Sequence, residues 1–190
     1  ERYKSAVQIE PNFAEAHNNL GVALKGLGRH SDSVESYTRA LKLKPDYAEA
    51  HNNLGNALRK LGEIDDALDS YAKAIKFHPE FAQAYNNIGN AYKELGQVGT
   101  AIENYTKALA INSDFAEAHS NLSTVKKYKP GDIQIVKMLN QVEQKSLSGK
   151  DKRRLNFALG KAYGDTGDQE KSFSFLSEGN RFQKLELKYK

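Results

Sequence analysis

Four asparagines recur at one interval: Asn19, Asn53, Asn87 and Asn121 stand 34 residues apart. Beside them run Asn18, Asn52, Asn86 and Ser120, then Val22, Asn56, Asn90 and Thr124, then the basic row Lys25, Arg59, Lys93 and Lys127. A carboxamide offers two donors and an acceptor, the groups that complement a peptide bond. A stripe of such amides therefore suits recognition of an extended backbone, indifferent to its sequence. The basic row would add a preference for acidic side chains or a carboxylate. Each stripe also has a plainer reading. Amides can bond one repeat to the next, and a charged row can be a solvated face.

Other chemistry finds less support. His17, His51 and His119 hold the same repeat position, where Tyr85 stands in the third repeat. Packed helices place equivalent atoms roughly 10 Å apart, whereas zinc bonds nitrogen at about 2.0–2.1 Å. The histidines are therefore expected to pack, and no metal or cofactor is expected. The pair Asp65-Asp66 falls at a helix start, where it complements the helix dipole. No Ser/His/Asp constellation stands out, so no enzyme is expected within these residues. There are no cysteines, which excludes disulfides, thiolate metal sites and a Cys nucleophile.

The elements that would hold these residues follow from the same rhythm. Ala14–Pro45, Ala48–Pro79 and Ala82–Ser113 are three consecutive copies of one pattern. In the middle copy, Ala50, Leu54, Ala57, Leu58 and Leu61 recur at helical steps, and Gly62 can end that helix in a left-handed turn. Asp65 can cap a second helix that buries Ala67, Leu68, Tyr71, Ala74 and Ile75, and Pro79 stops it. Gly55 and Ala67 are small where the two helices should meet most closely. Ser33 replaces that alanine in the first copy, which is tolerable if its hydroxyl bonds back to a carbonyl. Such a hairpin cannot bury its apolar faces alone, so copies must stack.

The pattern of aromatic or His, Leu-Gly, Leu/Tyr, small residue, Tyr and Pro resembles the tetratricopeptide repeat. The resemblance implies an all-α, right-handed α-solenoid of antiparallel helix pairs. It also implies that the stripes line a concave groove. The first stripe looks like the asparagine ladder of repeat arrays joined to glycosyltransferases, where amides grip a peptide backbone. Arrays that clamp a chaperone's C-terminal carboxylate need basic residues near the start of their first helices. Glu15, Glu49 and Asn52 stand there instead, so that role is not expected.

The repeats divide the chain. Residues 1–10 read as the end of a truncated preceding repeat, since Tyr3 and Ala6 match Tyr37 and Ala40; a piece of a longer protein is implied. Residues 11–115 hold three regular units. Residues 116–150 form a divergent fourth unit and a connector, with Lys126 in an apolar position, Pro130-Gly131 at the turn and Asp132 as a cap. Its second helix would carry Ile133, Ile135, Val136, Met138, Leu139 and Val142. Residues 151–190 form a degenerate fifth unit, with Leu159, Gly160, Tyr163, Gly167, Ser172 and Leu176 in repeat positions, and a helical tail to Tyr189.

Residues 115–190 resemble the connector of bacterial fusions of tetratricopeptide repeats to a sulfotransferase. No Gly-rich phosphate loop occurs here, so the enzyme of such a fusion would lie elsewhere. Charge is uneven. Residues 1–125 carry 13 basic and 16 acidic side chains, and residues 126–190 carry 15 and 8. The basic excess is scattered among Leu, Phe and Asp, which argues against nucleic acid. No apolar run approaches the ~20 residues that span a bilayer, and no signal peptide is visible, so no membrane partner and a cytoplasmic setting are expected. The expected partner is a peptide or protein segment. A competing reading is self-association through the ends of the array, helped by Phe173, Phe175, Leu176 and Phe182 if they are exposed.

Overall fold

The computed structural model describes residues 9–144 and 146–188. Tyr3, Ala6 and Tyr189, used above to place the first and last units, lie outside the described residues. In order, the chain forms α1 (Ala14–Gly26), α2 (His30–Leu43), α3 (Ala48–Leu61), α4 (Ile64–Phe77), α5 (Ala82–Glu94), α6 (Val98–Ile111), α7 (Ala116–Ser123), α8 (Ile133–Val142), α9 (Gly149–Thr166) and α10 (Gln169–Lys188). No strand occurs among the described residues. The chain packs as two compact units, Glu1–Leu95 and Gly96–Lys190.

In the first unit, α1 pairs with α2 and α3 with α4, while α5 packs on α4. The glycine–tyrosine contact sets how closely each pair approaches. A Cβ on Gly21 would lie 2.6 Å from the Tyr37 ring, and one on Gly55 would lie 2.6 Å from the Tyr71 ring. Only a residue without a side chain lets the ring lie flat against the first helix. Tyr37, Ala40, Ala67, Tyr71 and Ala74 are fully buried as a result. Val34, Leu54, Leu68 and Ile75 pack around the core of Leu58, Ala67, Tyr71, Ile88 and Ala91. Ser33 bonds back as required, its Oγ donating to the His30 carbonyl at 2.6 Å. Gly62 takes φ +85° and ends α3.

One expected cap is corrected. The residue before α4 is Glu63, which makes no side-chain cap bond, and Asp65 lies inside the first turn. There it faces the helix dipole without bonding an amide. Asp132 does cap α8, accepting the Gln134 amide at 3.1 Å. Ser148 caps α9, accepting the Asp151 amide at 3.1 Å.

The second unit departs from the repeat. Helix α7 stops at Ser123, and the chain turns away before Lys126. Tyr128 then enters the core formed by Met138, Leu155, Ala158, Leu159 and Ala162. Its amide is held by Asp165 at 3.0 Å, and Lys161 bonds both that carboxylate and the Lys126 carbonyl. Ile135 and Met138 of α8 are buried, whereas Ile133 and Val136, apolar residues of the same helix, are exposed. The pair α9–α10 restores the repeat geometry. A Cβ on Gly160 would meet Leu176 at 2.7 Å, and the Ser172 hydroxyl donates to the Gly160 carbonyl at 2.8 Å.

Candidate functional site

Within the first unit, α3 touches α1 on one side and α5 on the other, so the first helices of three repeats stand side by side. In α3 the period points Gly55 at α4, and it leaves Asn52, Asn53, Asn56 and Arg59 toward the neighbouring first helices and the outer face. The amides meet one another there. Asn53 Nδ2 donates to Asn18 Oδ1 at 3.1 Å, and Asn87 Nδ2 donates to Asn52 Oδ1 at 2.8 Å. The partners are 35 residues apart, one repeat plus one position.

These bonds change what the stripe offers. Asn53 is 8% exposed and Asn87 3%, and Asn18, Asn52 and Asn86 are buried beside them. Each donor amide spends one N–H on its neighbour and retains a second N–H and an oxygen. Asn19, for which the described residues hold no preceding first helix, is exposed. Asn90 is half-buried on α5. In the second unit, Asn121 is half-buried on α7 and Lys127 is exposed.

The basic row divides. Arg59 Nη1 pairs with Glu94 Oε1 at 2.5 Å, and its side chain is only 14% exposed. Beneath it the Tyr71 hydroxyl donates to Asn56 Oδ1 at 2.9 Å. Burial pushes the Tyr71 phenol up to about 12, with Arg59 pulling the other way. Sequence reasoning missed Glu94. The signal was available: Glu94 stands 35 residues after Arg59, the same offset that joins the asparagines.

The equivalent place in the first repeat is built differently. Val22 stands where Asn56 stands, and the buried Tyr37 hydroxyl has no hydrogen-bond partner among the described residues. Burial raises that phenol above its ordinary range, and the charge of Glu49 adds to the effect. Lys25, in Arg59's place, is half-buried, and desolvation holds its ammonium below the usual lysine value. Lys60 stands where Glu94 stands one repeat later. Neither lysine forms an ion pair within the described residues.

The histidines tie down loops. Nε2 of His17, His51 and His119 lies 2.9, 2.8 and 2.9 Å from the carbonyls of Pro11, Pro45 and Ser113. A carbonyl only accepts, so Nε2 carries the hydrogen in each ring. Among the described residues no three metal-ligating side chains converge, and no helix is long and apolar enough to cross a membrane. On α10, Phe173 is 75% exposed, while Phe175 stacks on Tyr163 with ring centroids 5.5 Å apart.

Comparison with known proteins adds the following. A profile described as "TPR repeat" matches residues 1–28, 23–62, 55–96 and 89–125. No curated protein matches. Among solved structures, YrrB, described as a TPR protein with an unusual peptide-binding site, has a TM-score of 0.63 at 20% identity, over 96% of this chain and 93% of that one. MamA has a TM-score of 0.58 at 23% identity, over 98% and 88%. The first TPR of Spaghetti (RPAP3), bound to an HSP90 peptide, has a TM-score of 0.57 at 19% identity, over 60% and 90%. These likenesses carry the fold, an all-α helical-repeat solenoid.

Proposed function

The chain belongs to the tetratricopeptide-repeat family, and from that premise we propose that it is a scaffold that binds an extended peptide or protein segment. The segment lies across the first helices of the first unit, along Asn19, Asn53 and Asn87, with Asn56, Asn90, Lys25, Arg59 and Lys93 beside it. The observation that carries this reading is the register of α1, α3 and α5. Amide-to-amide bonds of 3.1 and 2.8 Å hold equivalent positions adjacent and repeat one polar surface from helix to helix. A periodic surface of this kind matches the periodic backbone of an extended chain. The solved likenesses to peptide-binding repeat proteins support the reading at the level of fold.

The array would serve a larger protein in a cytoplasmic setting. Residues 115–190 suggest a sulfotransferase as the enzyme it serves, on their resemblance to the connector of bacterial fusions alone. A second reading, self-association, is favoured by the exposed Phe173. Light scattering over a concentration series decides it, and a strict monomer at high concentration removes it.

The peptide reading is tested by selecting ligands from a displayed library of random decapeptides and measuring their affinity for the full chain. Asn19→Ala combined with Asn90→Ala should weaken selected peptides about thirtyfold, since each lost hydrogen bond costs ~1 kcal/mol. Lys73→Ala, on the exposed side of α4, should leave affinity unchanged. Equal affinity of the asparagine double variant for every selected peptide would set the reading aside.

A further inference from the structure

We propose that the first repeat carries a carboxylate-binding site, formed by Lys25 and Lys60 over the buried hydroxyl of Tyr37. The ligand is an acidic side chain of the bound segment, or its C-terminus. The inference rests on the peptide-scaffold reading and supplies its chemical preference.

The molecule contains its own control. One repeat further on, the hydroxyl and the cation at the equivalent positions each have a partner. The Tyr71 hydroxyl has the Asn56 oxygen at 2.9 Å, and the Arg59 guanidinium has the Glu94 carboxylate at 2.5 Å. In the first repeat both acceptors are missing, because Val22 replaces the amide and Lys60 replaces the acid. What remains is a buried hydroxyl without an acceptor and two cations without a counter-ion among the described residues. A buried donor left unsatisfied is costly, and so is a half-buried ammonium without a partner. Both deficits have the same remedy, an oxyanion. The oxyanion that this chain itself uses at the equivalent position is a carboxylate, on Glu94.

The positions differ from those at which basic residues clamp a chaperone's C-terminus, near the start of the first helices. Lys25 is in the last turn of α1, and Lys60 is the penultimate residue of α3. Cations at helix C-termini are also favoured by the dipole, so the site costs little to hold when empty. Lys60 is exposed and can swing onto a ligand, whereas Lys25 is half-buried. The carboxylate would settle against Lys25 and bring the acceptor that Val22 withholds from Tyr37.

The test uses the full chain and four probes, measured by titration calorimetry. They are an acetylated, amidated decapeptide of alternating glycine and glutamate, its glutamine counterpart, the glutamine peptide with a free C-terminal carboxylate, and inorganic phosphate. The glutamate peptide should bind about fivefold more tightly than the amidated glutamine peptide, the ratio expected of a partly desolvated ion pair. Lys25→Gln and Lys60→Gln should each erase most of that preference. A gain from the free C-terminus alone would assign the site to chain ends, and a gain from glutamate alone to side chains; either supports it. Lys60→Glu gives a readout independent of any ligand. It places in the first repeat the acid that Glu94 gives to Arg59, so it should raise the melting temperature and abolish the glutamate preference. An unchanged or lower melting temperature in Lys60→Glu would count against the site. Equal binding of the glutamate peptide, the free-carboxylate peptide and the amidated glutamine peptide would overturn the carboxylate site while leaving the scaffold reading intact. No binding by any peptide would remove both. Phosphate that displaces the glutamate peptide at equal concentration would overturn the assignment to a peptide.

Discussion

The hairpins α1–α2 and α3–α4 have the same ring over the same glycine, yet their tyrosines live differently. Tyr71 donates to Asn56 under a paired Arg59. Tyr37, equally buried, donates to nothing among the described residues. The shared part, Gly21 with Tyr37 and Gly55 with Tyr71, is what shape requires. The part that varies lies on the face where first helices meet each other and the outside. Repeats of this kind separate the two demands. Positions that set helix approach stay fixed from copy to copy, and positions on the shared face are released to differ.

The largest effect should come from breaking the shared part. On Gly55 an added methyl would sit 2.6 Å from the Tyr71 ring and 3.0 Å from the Ala67 carbonyl oxygen, so backbone as well as ring must move. On Gly21 the three nearest atoms all belong to the Tyr37 ring. Gly55→Ala is expected to cost about 3 kcal/mol and Gly21→Ala about half of that, over-packing being partly offset by alanine's helix propensity. Urea unfolding of both variants measures the difference. Equal costs would mean that the ring contact alone sets both approaches and that the Ala67 carbonyl adds nothing.

A smaller effect should expose the part that differs. Tyr71→Phe strands the Asn56 oxygen and should cost about 1–2 kcal/mol, whereas Tyr37→Phe removes a donor that already lacks a partner and should be neutral or stabilising. Val22→Asn restores the missing acceptor and should stabilise by ~1 kcal/mol, a gain that disappears in the Tyr37→Phe background. A double-mutant cycle in the folded chain checks this. A Tyr37→Phe variant as damaged as Tyr71→Phe would show that Tyr37 has an acceptor after all.

Much of this was legible in the residues. The 34-residue rhythm, the small residues at the helix crossing, the back-bonded Ser33 and the cap at Asp132 follow from spacing and local chemistry. The offset pairs were harder to see. Asn53 with Asn18, Asn87 with Asn52 and Arg59 with Glu94 join residues 35 apart, and comparing equivalent positions at 34 passes over them. The stagger arises because neighbouring first helices meet one position out of register, which is a property of stacking and not of any one repeat. The asparagine stripe was therefore read from both its chemistries without the geometry that joins them. Asp65 has the residue type of a cap, but the cap position falls two residues earlier, at Glu63. Tyr128 was overlooked because nothing in a repeat pattern anticipates a side chain that replaces the pattern. Ser123 and Lys126 marked where the helix would fail, but not what would fill the space.

The smallest effect concerns acidity and sharpens the comparison at a third position. His51 lies buried between the Pro45 carbonyl, which accepts from its Nε2, and the ring of Phe77, stacked at 5.7 Å. Its Nδ1 is buried without a partner, so a second proton would enter with no acceptor. Desolvation, against the opposing pull of the Pro45 bond and with help from Lys73, holds its pKa below the ordinary histidine value. A depressed folded value means that the unfolded chain takes up the proton first. The contribution of His51 is then fully present above about pH 6.5 and is lost as pH falls from there through the lower folded value. His119 is buried in the same way in the second unit, its Nδ1 likewise without a partner and its pKa lowered by desolvation. The third repeat already carries Tyr85 at this position, so His51→Tyr is a substitution that the fold accepts elsewhere. Unfolding free energy measured at pH 7.5 and pH 5 should fall between the two in the parent chain, and should fall less in His51→Tyr. An identical fall in both would place the acid sensitivity outside the first unit, in the neighbourhood of His119.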